Sequence, residues 1–262
     1  MSKKNNKKIL HYENLFHDMK NPMTVLFSTI QVMEGKDSEK KFGKETDILR
    51  KSAFQMMKLI NYGNDIEKII QDDFEPNMTS FNIVDSINQL IYIMNFSLEK
   101  TNTIIKFNTN VNSKIICNDE FIIYRIIMNL ISNAIKFSDE KNRKIEIVFK
   151  DEDDFIKISV KDNGPGIEED MLKKMFKRYE TKNKEKGFGI GLNIVENLLS
   201  IINGSVKAKN VKTKNNEIKG AIFTIKIPAN KDKIEEKSDK KSMFVDDFHK
   251  KNLADIEFSD LI

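Results

Sequence analysis

Cysteine is almost missing from this chain of 262 residues. Cys117 stands alone, which excludes an internal disulfide and a four-cysteine zinc site, and fits a reducing, cytoplasmic setting. Tryptophan is absent and proline occurs four times, in a chain that is 39% hydrophobic and 32% charged, the texture of a globular protein. No segment approaches the run of about 18 apolar residues that crosses a membrane. The start, MSKKNNKKIL, is basic but has no apolar stretch behind it, so it does not read as a secretory signal. Basic and acidic residues, 44 against 40, are well mixed, and no basic stripe carries interleaved aromatics. That pattern predicts a solvated surface and no nucleic-acid partner.

What is present divides in two. Residues 9–73 show helical periodicity only, behind a basic extension at 1–8. Phe16, Met19, Met23, Leu26, Ile30 and Met33 make a heptad seam. The polar stretch EGKDSEKKFGKE (34–45) interrupts it, and Leu49, Ala53, Met56 and Ile60 resume it. The spacing predicts a helical hairpin whose seam is wide enough to pair with a second copy in a four-helix dimer. Inside the first helix, HYENLFHDMKNPMTVL (11–26) holds two of the three histidines, His11 and His17. Pro22 lacks an N–H and crowds the carbonyl of Asp18, loosening the turn beside His17.

Pro76 stops the helical region within a linker at 74–80, and mixed helix and strand follow over 81–229. Residues 83–100 read as an amphipathic helix and TIIKFNTN as a strand. IEIVFK (145–150) and FIKISVK (155–161) flank a DEDD turn. Ile156, Ile158 and Val160 alternate with Lys157, Ser159 and Lys161, predicting a sheet with one wet face. GSVKAKNV and AIFTIKIP form a closing hairpin with Phe223, Ile225 and Ile227 inward. Helices on one side of a mostly antiparallel sheet make an α/β sandwich, so the whole is α+β: a helical hairpin followed by that sandwich. The remainder, 230–262, reads as a charged, flexible tail, and His249 within it has no assigned role.

Three stretches in the second region carry chemistry. Asn118 or Asp119 opens a helix whose buried stripe is Ile123, Ile127, Leu130, Ala134 and Phe137. Asn129, Asn133 and Lys136, at steps of 4 and 3, form a second, polar stripe, and amide oxygens there suit Mg²⁺. DNGPGI (162–167) follows a strand: Asp162 can accept a hydrogen bond from an exocyclic amine, and Gly164 and Gly166 let a ligand approach the backbone. GFGIGLNIVENLL (187–199) brings Gly187, Gly189 and Gly191 to a helix start, where bare amides bind phosphate. Leu192, Val195, Leu199 and Ile202 would face the core. The spacing matches neither a P-loop nor a dinucleotide fingerprint.

In this order the three stretches closely resemble the ATP-binding (Bergerat-type) domain of sensor histidine kinases. MFKRYE (175–180) resembles the family's lid box, and GAIFTIKIP its closing strand. FHDMKNP resembles the segment around the phosphoaccepting histidine. The resemblance spans residues 10–229. It implies that ATP and Mg²⁺ bind through Asn129, Asn133, Lys136, Asp162, Gly164, Gly166, Ile167, Phe176, Tyr179, Gly187, Phe188, Gly189, Ile190, Gly191, Leu192 and Thr224, with Thr224 near the adenine. It further implies that His17 takes the phosphoryl group and passes it to an aspartate of a response-regulator receiver domain. Asp18 would orient the imidazole, and Asn21 would orient water that dephosphorylates the partner. ATP-hydrolysing relatives carry a glutamate where Asn129 stands; an amide is a poor base, so the γ-phosphate is kept from water. Phe188 departs from the small or polar residue usual there, and the lid from Glu168 to Lys186 is short and lysine-rich.

Overall fold

Strand periodicity of two and helix periodicity of 3.6 put apolar side chains on one face of each element, and over residues 75–233 those faces meet in one core. The computed structural model describes residues 24–26, 28–29, 48–49, 52–53, 56, 63, 75–98, 101–138, 141–172, 175 and 191–233. The chain divides into two units between Phe74 and Glu75.

In the first unit the described positions are helical, with Thr29 and Ser52 buried, Leu26, Leu49 and Met56 half-buried, and Ala53 exposed. Thr29 Oγ1 donates to the Val25 carbonyl at 2.7 Å, a local bond that satisfies a buried hydroxyl inside a helix. His11, His17, Asp18, Asn21 and Pro22 lie outside the described residues, as do the hairpin turn, His249 and the tail beyond residue 233.

In the second unit β1 (Thr79–Asn82) begins inside the stretch read as linker and pairs antiparallel with β3 (Ile115–Asn118). Between them lie α1 (Ile83–Ser97) and β2 (Thr103–Thr109). Next come α2 (Glu120–Phe137), β4 (Arg143–Glu152), β5 (Phe155–Lys161), the short α3 (Glu169–Leu172) and α4 (Gly191–Ile201). The hairpin β6 (Ser205–Lys212) and β7 (Ile218–Pro228) closes the domain, and a 3₁₀ turn follows at Lys231–Lys233. The main sheet runs β2-β4-β5-β7-β6, parallel only between β2 and β4. No helix among the described residues is long and apolar enough to cross a membrane.

Alternation sets the two faces. Ile145, Ile147 and Phe149 of β4, Ile156, Ile158 and Val160 of β5, and Phe223, Ile225 and Ile227 of β7 are all buried. Ile123, Ile127, Leu130 and Ala134 of α2 and Val195 and Leu199 of α4 are likewise buried. Each full burial of an Ile or Leu contributes roughly 1.5–3 kcal/mol. Two residues depart from the expected stripes. Phe137 is 42% exposed because α2 ends there, at the C-cap Ser138, and Leu192 is half-buried in the first turn of α4. The other sheet face carries lysine: Lys144 and Lys150 on β4, Lys157 and Lys161 on β5, Lys207 and Lys209 on β6.

Candidate functional site

The helix α2 starts where its sequence says it should. Asp119 caps it, its Oδ1 accepting from Ile122 N at 3.0 Å while its Oδ2 accepts from Asn77 N at 2.9 Å. Nearly three turns on, Asn129 is buried and its Nδ2 donates to the Arg125 carbonyl at 2.9 Å. That bond holds the amide so that Oδ1 faces the start of α4. A Cβ placed on Gly191 would sit 3.2 Å from Asn129 Oδ1 and 3.5 Å from Asn133 Nδ2. The structure thus brings Asn129, Asn133 and Gly191 together across 62 residues of sequence at most. Asn133 Nδ2 is buried and has no hydrogen-bond partner. Other buried atoms, among them Arg143 Nε and Asp151 Oδ1, share this condition, but Asn133 Nδ2 is the one set beside a helix N-terminus, where a ligand could satisfy it. Two amide oxygens at this spot suit a hard cation shared with phosphate oxygens, so the residues fit Mg²⁺. Lys136 follows on the same helix, half-buried.

Asp162 extends the buried face of β5 by one residue, in step with Ile158 and Val160, and is 5% exposed. Its Oδ1 accepts from Gly164 N at 2.9 Å and Ala221 N at 3.0 Å, and its own N donates to the Ala221 carbonyl at 3.0 Å. Burial raises the carboxyl above its ordinary pKa, and the two backbone donors offset part of that rise. No described donor reaches Oδ2, the oxygen left for a ligand amine.

Three glycines or glycine-like clearances let the backbone close around this carboxylate. A Cβ on Gly164 would meet the Phe137 carbonyl at 2.4 Å, which locks the loop to the end of α2. Gly166 has φ +81° and is packed against Ile218 and Asn210. Gly220, at φ +133°, lies so close to Asp162 that a Cβ there would be 2.0 Å from its carbonyl oxygen. Sequence reasoning missed Gly220 and Asn210; a lone glycine and a lone asparagine in a lysine-rich hairpin give no signal by themselves. Ile167 is half-buried beside Asn210.

Thr224 is a correction. Alternation places it on the face opposite Asp162, where its Oγ1 is 2.9 Å from Ser159 Oγ in the register pair Ser159–Thr224. The residue that flanks Asp162 on its own face is Ala221, buried and paired with it through the backbone. Phe176, Tyr179, Gly187, Phe188, Gly189 and Ile190 lie outside the described residues. Met175, just before them, is buried and its N donates to the Met171 carbonyl.

Comparison with known proteins places these features in a family setting. Residues 118–231 match the model described as histidine kinase-, DNA gyrase B-, and HSP90-like ATPase. Histidine kinase P4 of Formosa agariphila is 25% identical over 234 residues, which are 86% of this chain and 17% of that protein. The autoinducer 2 sensor kinase/phosphatase LuxQ of Vibrio vulnificus is 26% identical over 232 residues, 84% of this chain and 26% of that protein. This chain therefore spans about a quarter or less of the length of these two relatives. Among solved structures, histidine kinase ThkA in complex with response regulator protein TrrA shares the fold: TM-score 0.65, 22% identity, 85% of this chain and 62% of that one.

Proposed function

The chain belongs to the sensor histidine kinase family, and from that premise we propose that it is an ATP-dependent protein-histidine kinase acting on His17 of its own hairpin. The observation that carries the reading is the meeting of Gly191 with Asn129 and Asn133, where a buried amide nitrogen has no partner. An anion-binding helix start faces two amide oxygens there, and Asp162 supplies a buried acceptor for a purine amine.

Phosphoryl transfer asks mainly for positioning and charge neutralisation. Mg²⁺, when bound, neutralises charge on the transferring phosphates; Asn133 and Asn129 would hold it through their amide oxygens, with Lys136 adding a point charge. Asn129 offers no base strong enough to activate water, so the γ-phosphoryl waits for another nucleophile. Neutral imidazole is available near pH 7, its ordinary pKa being about 6.5. One ring nitrogen of His17 bonds to the γ-phosphorus as the bond to the β–γ bridging oxygen breaks, and ADP departs with that electron pair. Asp18 accepts the proton from the other ring nitrogen. The phosphoryl group then passes to an aspartate of a response-regulator receiver domain, and Asn21 orients water for the reverse, dephosphorylating duty. Two copies pair through residues 9–73; the stretch read as a linker, 74–80, already belongs to the catalytic domain from Asn77 onward, and the tail begins after residue 233.

The test is direct. The full chain incubated with Mg²⁺ and γ-labelled ATP should take up label that survives alkali and is lost in acid. His17→Ala should abolish the label and His11→Ala should not. Nucleotide binding with no label would overturn the kinase and leave a dimer that binds nucleotide and docks regulators. Unchanged regulator dephosphorylation in Asn21→Ala would remove the role given to Asn21.

A further inference from the structure

On the face of the main sheet turned away from the helices, an open cleft of about 540 Å³ lies among β2, β4, β5 and the β6–β7 hairpin. It is lined by Ile104, Ile145 and Val211, by five lysines, Lys106, Lys144, Lys161, Lys212 and Lys219, and by two acids, Glu146 and Asp162. One of them is neutralised: Lys161 Nζ lies 3.2 Å from Glu146 Oε2, and Glu146 Oε1 accepts from Asn108. Lys106, Lys144, Lys212 and Lys219 make no ion pair with any described residue. Elsewhere in the domain Lys114 pairs with Asp151 at 2.6 Å and Lys157 with Glu152. Four ammonium groups without an ion pair, set against Glu146 and Asp162 in the same lining, repel one another and leave the concavity net positive. An anion is the partner that removes the repulsion.

The walls are held rather than loose. Asn163 Oδ1 accepts from Lys144 N at 2.9 Å, and Asn163 Nδ2 donates to the Asn142 carbonyl at 2.8 Å. Across the cleft, Thr213 N donates to the Glu217 carbonyl at 2.9 Å, and Thr213 Oγ1 accepts from Glu217 N, closing the turn between Lys212 and Lys219. A volume of this size suits a small molecule rather than a protein chain.

We propose that this cleft is a second ligand site, for a small organic anion carrying two or more phosphate groups, on the sheet face away from Asn129, Asn133 and Gly191, with Asp162 at the end of β5 lining its edge. Lysine serves as a mobile point charge for phosphate, and the apolar side chains of the lining accept the rest of such a ligand. The site stands whether or not His17 is phosphorylated.

Inorganic tripolyphosphate is the probe, titrated calorimetrically into the full chain at 0.15 M salt. Binding should persist in Asn133→Ala, which cripples phosphate holding at the nucleotide site. It should weaken about tenfold in Lys144→Ala and again in Lys219→Ala. Lys157→Ala, on the same face but outside the cleft and paired with Glu152, should change it by less than about twofold. The lysine variants are exposed and should melt with wild type. Loss of binding in Asn133→Ala with no effect of the cleft lysines would assign the anion to the nucleotide site and overturn the proposal. Equal weakening by Lys157→Ala would mean a diffuse basic face, and would overturn it too.

Discussion

Asn210 holds Ile167 by both of its main-chain groups: the Ile167 N–H donates to Asn210 Oδ1 at 2.7 Å, and Asn210 Nδ2 donates to the Ile167 carbonyl at 2.7 Å. This clamp ties the loop after Asp162 to β6, 43 residues further on. Asn210→Ala should leave both groups part-buried without partners and destabilise the domain by about 1–2 kcal/mol. Asn210→Asp should do worse, because a carboxylate replaces the donor facing the Ile167 carbonyl. Chemical denaturation orders the three proteins, and nucleotide affinity should fall in the same order.

Asp162 sets function against stability. Its carboxyl is raised by burial, so the folded state holds its proton to higher pH than the unfolded chain does. The group therefore favours folding below the unfolded value near 3.8, and that contribution is lost as pH rises through the folded value. Asp162→Asn removes the buried charge. At pH 7 the variant should melt no lower than wild type, while nucleotide binding falls tenfold or more, by roughly the strength of one charge-assisted bond. The melting difference should shrink as pH drops toward 4, which a pH series of thermal scans would measure.

Gly220→Ala should be the most damaging small change in the domain. The new methyl would lie 2.0 Å from the Asp162 carbonyl oxygen, a backbone atom that cannot swing away, at φ +133°. A loss of about 3 kcal/mol or more follows from overlap and strain together. Urea unfolding measures it, and Gly204→Ala, which meets the Leu199 side chain first, should cost less.

Asn133→Ala should separate binding from folding in the opposite sense. It deletes a buried nitrogen that has no partner, so stability should hold within about 0.5 kcal/mol or rise. Nucleotide affinity should fall about tenfold or more, since a phosphate-side contact is gone. Equilibrium binding of a labelled nucleotide, beside a melting curve, checks both halves. A variant that unfolds instead would refute the ligand-facing role of this amide.

Much of this arrangement is legible along the chain because its causes are local. FIKISVK predicts β5 to the residue, since burial alternates with every side chain. Asp119 is readable as a cap because an N-cap carboxylate needs only the next three residues. The polar stripe on α2 and Gly191 at the start of α4 announce themselves by spacing. Thr224 is assigned to the nucleotide by the resemblance alone; the alternation that turns Phe223, Ile225 and Ile227 inward already sets it on the face opposite Asp162, which stays in step with Ile158 and Val160. Asn210 and Gly220 act only through contacts 43 and 58 residues away in sequence, so neither carries a motif.

By its own order of residues, then, the chain determines helix and strand, the caps, the inward stripes and the three motifs of a nucleotide domain, because each depends on neighbours a few positions away. Folding in three dimensions decides which motifs touch, which face each strand side chain takes, and how lysines scattered evenly through the sequence gather round one cleft. Pairing of distant strands sets that register, and register is a property of the sheet, not of any single strand.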